Sequence, residues 1–163
     1  MKTIVISIFL LVAAFTSIAQ TSCYVKKAYA FYTVTIPGVQ MADENGNPVP
    51  PKATVARFMY IEWGGAKKPK IETVLYNNKA LVATLTAVKG SSVIPGSDLS
   101  KNNNFKITAK KYNSLWKIDL QPLEENSMPV EDCKNIIIKT KGTAKTCAFK
   151  LLKETQLMTM PRY

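Results

Sequence analysis

Alternation of apolar and polar residues at a period of two runs through almost the whole chain, and it constrains the fold more than any other feature. Tyr29 to Ile36 puts Ala30, Tyr32, Val34 and Ile36 on one face and Phe31, Thr33 and Thr35 on the other. A half-buried strand needs that pattern, because successive side chains point to opposite faces of a sheet. Similar runs follow at Val55–Trp63, Ile71–Tyr76, Leu81–Val88, Phe105–Lys110, Leu115–Leu120, Ile136–Thr140 and Thr146–Leu152, and no segment sustains a helical period. The expectation is an all-β chain of about eight strands.

Turn chemistry separates these runs. Asn77-Asn78 tolerates left-handed backbone and predicts a tight hairpin; Tyr112-Asn113-Ser114 and Lys141-Gly142 predict two more, and Gly64-Gly65 ends the strand at Trp63. Longer connections alternate with them, at Ala42–Lys52, Gly90–Asn104 and Gln121–Asp132. Short and long loops in alternation suggest hairpins that cross between two layers, which favours an antiparallel β-sandwich, immunoglobulin-like or similar, over an up-and-down barrel. The tail from Glu154 is read as an extra strand or ordered coil. Within the aromatic set, Trp116 is in phase with Ile118 and Leu120 and is assigned to the core, whereas Trp63, beside Gly64-Gly65, is the ring most expected at the surface.

The first nineteen residues have a different character. Lys2 supplies a positive charge, Ile4–Phe15 is an almost unbroken apolar run, and Ser17-Ile18-Ala19 is a small-x-small cleavage site, the layout of a secretory signal peptide. The apolar run is too short for the roughly 20 residues of a membrane span. Residues 1–19 are therefore expected to be removed near Ala19, leaving 163 − 19 = 144 residues as one β-sandwich domain at 20–163 in a secreted or periplasmic location. Lipidation at Cys23 is the rival, but Gln20-Thr21-Ser22 lacks the aliphatic residue of a lipobox.

Export permits disulfides, and the mature chain keeps Cys23, Cys133 and Cys147. The expected bridge is Cys133–Cys147, which flanks a predicted hairpin and would contribute roughly 3 kcal/mol. Cys23 is then left as a free thiol, a mixed disulfide, an intermolecular bridge or a lipid site.

The chain contains no histidine, which removes Ser-His and Cys-His nucleophile pairs, histidine bases and histidine-based zinc or copper sites. A carboxylate-dependent hydrolase is the alternative class; it would need two carboxylates held across a cleft, and the acids Asp43, Glu44, Glu62, Glu72, Asp98, Asp119, Glu124, Glu125, Glu131, Asp132 and Glu154 show no evident pair in sequence. Asp43–Asn47 offers oxygen ligands around Gly46 but lacks calcium-loop spacing, so a turn accounts for it without a metal. No catalytic residue, cofactor or metal is expected.

Charge supplies the remaining lead. Lys and Arg total 22 against 11 Asp and Glu, and Arg57 and Arg162 are the only arginines. So lysine-rich a surface attracts polyanions without arginine's bidentate reading of phosphate, and no specific nucleic acid is expected. Candidate binding residues are Lys67, Lys68 and Lys70 at a loop tip, Lys106 and Lys110 on one predicted hairpin, and Lys139 and Lys141 on another. If the hairpins share a sheet, they form a cationic face for an anionic glycan, lipopolysaccharide or another envelope protein; edge protection by lysine is the competing explanation. The functional expectation is non-catalytic binding or surface assembly.

Overall fold

A computed structural model describes residues 23–36, 41–49, 53–96, 105–122, 133–141 and 146–158. The expected signal segment, its cleavage site and the Gln121–Asp132 loop beyond Pro122 lie outside these residues. The described chain is all-β: β1 Val25–Thr35, β2 Met41–Ala42, β3 Pro48–Val49, β4 Thr54–Trp63, β5 Ile71–Tyr76, β6 Lys79–Ala87, β7 Ser92–Val93, β8 Ile107–Thr108, β9 Ser114–Pro122, β10 Ile136–Lys141, β11 Thr146–Leu151 and β12 Glu154–Gln156.

Eight of these strands form one sheet in the order β11-β10-β5-β6-β9-β4-β1-β12, antiparallel at every pairing except β1 with β12. The expected sandwich of two stacked sheets is thus replaced by a single sheet that nearly closes on itself. Connectivity enforces the closure. β11 and β12 are the opposite edges of the sheet, yet Leu152 and Lys153 alone separate them in the chain. That link spans at most about 11 Å, so the two edges must meet, and β11 indeed lies against β1. Eight strands enclose an interior just wide enough for side chains to fill.

The inward phase of each strand supplies that filling. On β4 it is Val55, Met59, Ile61 and Trp63; Ala30 of β1, Val74 and Tyr76 of β5, Ile118 and Leu120 of β9, and Ile136 and Ile138 of β10 complete the buried set. Fully burying each large aliphatic side chain contributes about 1.5–3 kcal/mol. The alternation read at Tyr29–Ile36 holds, with Ala30, Tyr32 and Val34 on the inner core and Phe31 on the opposite side.

The second face of β1, β4 and β9 is also covered. Residues 105–110, ahead of β9, pack over it and bring Ile107 and Ala109 onto Phe31, Tyr60 and Leu115, with Leu157 completing this outer core. Phe31 anchors the layer, its ring centroid 5.3 Å from that of Phe105 and 5.8 Å from that of Phe58. Here the predicted Phe105–Lys110 strand is corrected. Only Ile107–Thr108 is extended and paired, with β7 rather than β9, while β12 takes the eighth place in the main sheet. Inside-outside alternation survives, since Ile107 and Ala109 are buried and Lys106, Thr108 and Lys110 exposed.

Glu62 fastens this layer to β4. It is 1% exposed and accepts hydrogen bonds from the Lys110 N–H at 3.0 Å and from the Asn113 amide. Burial pushes its carboxyl up, but the Asn113 and Lys110 hydrogen bonds and the charges of Lys27 and Lys110 outweigh it and hold it below its ordinary value. A carboxyl depressed in the folded state contributes stability that is complete above about pH 4.5 and lost as pH falls through the lower folded value. Glu62→Gln is expected to flatten the dependence of stability on pH below that point while leaving the neutral-pH fold intact, measured by urea titrations between about pH 3 and 7.

Two hairpin expectations hold. Asn77 and Asn78 turn between β5 and β6 with φ of 47° and 68°, and β10 pairs antiparallel with β11. Asn77 Oδ1 also accepts the Lys134 and Asn135 N–H groups at 2.8 and 3.1 Å, which ties this turn to the entry of β10.

The expected Cys133–Cys147 disulfide is absent; all three cysteines are free thiols. The register explains why. Cys147 stands opposite Thr140, whereas Cys133 precedes the other end of β10, seven residues back along the chain. Seven extended residues span about 23 Å, far beyond the roughly 7 Å limit between Cα atoms for a bridge.

Candidate functional site

At the end of β4 the chain makes a strapped turn. The Gly64 N–H donates to the Tyr24 carbonyl at 2.8 Å, and the Trp63 indole N–H donates to the Lys67 carbonyl at 2.7 Å. A Cβ at Gly65 would stand 2.7 Å from Trp63 Nε1, so glycine there permits the close approach of backbone to indole. Beyond the buried Pro69, the Lys141 N–H donates to the Lys70 carbonyl at 2.9 Å, extending the pairing of β10 past the start of β5. Residues 67–70 are therefore held between the end of β4 and the end of β10.

This arrangement encloses a cleft of about 400 Å³ lined by Tyr24, Trp63, Gly65, Ala66, Lys67, Lys68, Lys70 and Lys141. Tyr24 and Trp63 pack against each other with ring centroids 5.2 Å apart, and Lys68 Nζ lies 6.0 Å from the Trp116 ring centre. No carboxylate lines the cleft, and none of its four lysines joins an ion pair among the described residues. Four lysines and two aromatic residues lining a cleft without a carboxylate make a site of one sign, suited to an anion that also carries an apolar face.

Four of the seven lysines expected from the sequence thus come together: Lys67, Lys68, Lys70 and Lys141. The other three do not join them. Lys106 and Lys110 flank β8 on the outer layer, and Lys139 lies on the outward side of β10 between buried Ile138 and Thr140. The shared cationic face expected of the two hairpins does not form, because β8 is not part of the main sheet.

The Trp63 expectation is corrected. Trp63 is buried, 4% exposed, because its indole N–H is satisfied by the folded-back Lys67 carbonyl. Trp116 is partly buried and packs against the inner core as its phase predicts, and its indole N–H donates to Ser114 Oγ.

Inside the sheet a polar network interrupts the apolar filling. Arg57 shares the inward phase of β4 with Val55 and Met59; its Nε lies 3.3 Å from Glu154 Oε2, with both side chains nearly inaccessible. The guanidinium lies 4.5 Å from the Tyr76 ring centre, and the Tyr76 hydroxyl donates to Glu154 Oε1 at 2.8 Å. Burial, the hydrogen bond to Glu154 and that residue's charge push the Tyr76 phenol above its ordinary value. Strict alternation from Val55 would have placed Arg57 inside from sequence alone; its partner Glu154 had no such signal, since it lies 97 residues further along the chain.

The two buried carboxylates serve different layers: Glu62 holds the outer layer, whereas Glu154 pairs with Arg57 inside. Asp119 is ion-paired to Lys117 and Glu72 accepts from Thr146 Oγ1. Asp43 Oδ1 accepts the N–H groups of Asn45 and Asn47, the turn expected of that loop. Among the described residues no group of three metal-ligating side chains gathers. Set against protein-family models, curated proteins and solved structures, the chain finds no match in any of the three.

Proposed function

We propose that this chain is an exported, non-catalytic binding protein of the cell envelope or extracellular space, and that it takes an anionic glycan in the Lys67-Lys68-Lys70-Lys141 cleft. The convergence of these lysines from two separate segments onto one aromatic-walled cleft carries the reading. Its volume suits one or two sugar rings, with Tyr24 supplying an apolar contact and the ammonium groups meeting carboxylate or sulfate. The signal-like residues 1–19 support export.

Heparin oligosaccharides serve as the probe, with tryptophan fluorescence as the readout. Lys67→Ala/Lys68→Ala/Lys70→Ala is expected to weaken binding about 10- to 100-fold, each exposed charge contributing up to about 1 kcal/mol. Lys106→Ala/Lys110→Ala removes nearly as much charge from another surface and is expected to leave affinity within about twofold. Equal losses in the two variants, or abolition of all binding by modest salt, would show generic attraction and overturn the reading.

A further inference from the structure

Near the closing seam of the sheet, β1 and the end of the chain run in parallel, with Ala30 level with Glu154, Phe31 with Thr155 and Tyr32 with Gln156. Cys23 and Cys147 each stand seven residues before the Ala30–Glu154 pair, Cys23 two residues ahead of β1 and Cys147 on β11. β11, which holds Cys147, lies against β1. The side chains meet: the two thiols are in hydrogen-bond contact, and Cys23 packs against the inner core. Neighbouring strands lie about 5 Å apart, and a disulfide spans roughly 4.4–6.8 Å between Cα atoms.

We propose that Cys23 and Cys147 are a disulfide pair, shown here as dithiol, whose oxidation locks the closing seam of the sheet, and that Cys133 is the cysteine left unpaired. The oxidant is a disulfide donor, either a dithiol oxidase or a small-molecule disulfide. One thiolate attacks the donor's S–S bond and forms a mixed disulfide with release of one donor thiol; the second thiolate then displaces the other donor sulfur. Two cysteine thiols thereby lose two protons and two electrons to form one S–S bond, while the donor disulfide is reduced to two thiols.

The pairing reaches the cleft. Tyr24 directly follows Cys23, lines the cleft, packs on Trp63 and accepts the Gly64 N–H through its carbonyl. A covalent bond from Cys23 to β11 fixes the segment that carries this wall. Cys133 lies in a different setting, where burial and the Glu154 charge push its thiol up to about 11 despite Arg57. Cys147 is raised to about 11 as well, first by its hydrogen bond with Cys23, so position in the sheet and not acidity separates the two.

Protein spanning residues 20–163, folded in a buffer of reduced and oxidised glutathione, tests this by alkylation and non-reducing peptide mapping. The expected product has lost two hydrogens, links the Cys23 and Cys147 peptides within one chain, and carries alkylated Cys133. Closing so long a loop lowers the unfolding equilibrium constant roughly 100- to 1,000-fold, a gain that Cys133→Ala keeps and Cys23→Ser loses. The Cys23→Ser protein under reducing conditions should match reduced wild type, which separates loss of the bridge from damage to the fold. A Cys133–Cys147 link, a bridge between two chains, or three alkylated thiols after oxidation would overturn the proposal. Mass analysis of the native protein adds one more decisive outcome: a lipid on Cys23 consumes the same sulfur and excludes the bridge.

Discussion

Arg57→Ala is expected to lower the unfolding free energy by about 3–5 kcal/mol. The loss comes less from the attraction removed than from the charge left behind. Glu154 has a side chain only 6% exposed and would keep its negative charge in the interior with Tyr76 as a remaining donor. The cation–π contact with Tyr76 at 4.5 Å and the longer one with Tyr32 at 5.7 Å are lost as well. Arg57→Met/Glu154→Leu should recover most of the stability, because removing both charges also removes their desolvation. Urea denaturation of wild type, both single variants and the double variant measures the coupling. Additive single losses would show that the pair does not act as a unit.

Trp63→Ala is expected to cost about 3–5 kcal/mol, the range for truncating a buried indole, and to abolish saturable binding in the cleft under conditions where the protein stays folded. One side chain serves both ends. It belongs to the inner core, and its N–H holds the Lys67 carbonyl that positions the basic 67–70 segment of the cleft. Trp63→Phe separates the two roles, retaining most of the buried ring while leaving the Lys67 carbonyl without its donor, for a loss of about 1 kcal/mol. The partly buried Trp116 is the comparison, and Trp116→Phe should cost less than Trp63→Ala by at least about 2 kcal/mol. Denaturation curves and heparin titrations of the three variants check both parts; full-strength binding by folded Trp63→Ala would remove this residue from the site.

Seven of the eight strands in the main sheet could be read from the sequence because alternation is written residue by residue. Val55, Met59, Ile61, Ile118, Ile136 and Ile138 are buried as their phase requires. The failures share one cause. Phe105–Lys110 has good alternation but packs face-down on the outer core with only two residues paired, so its pattern reports burial without reporting a partner. Trp63 looked exposed because Gly64-Gly65 normally marks a surface turn, whereas here the glycines let the backbone fold onto the indole. Four cleft lysines were identifiable as cations, but only the Lys141–Lys70 backbone pairing makes them neighbours. The Cys133–Cys147 expectation failed for a related reason: nearness in sequence favoured it, whereas register sets Cys147 opposite Thr140, far from Cys133 along β10.

By itself the amino-acid sequence determined that this chain folds as strands, which residues of each strand face the core, and that the surface is strongly cationic. These are local properties, set by a two-residue period and by side-chain charge. The single near-closed sheet, the second core beneath residues 105–110, the Arg57–Glu154 pair and the basic cleft were decided by tertiary structure. Strand order follows from burying the whole set of faces at once and from links as short as Leu152-Lys153, and those constraints act between residues that no local pattern relates.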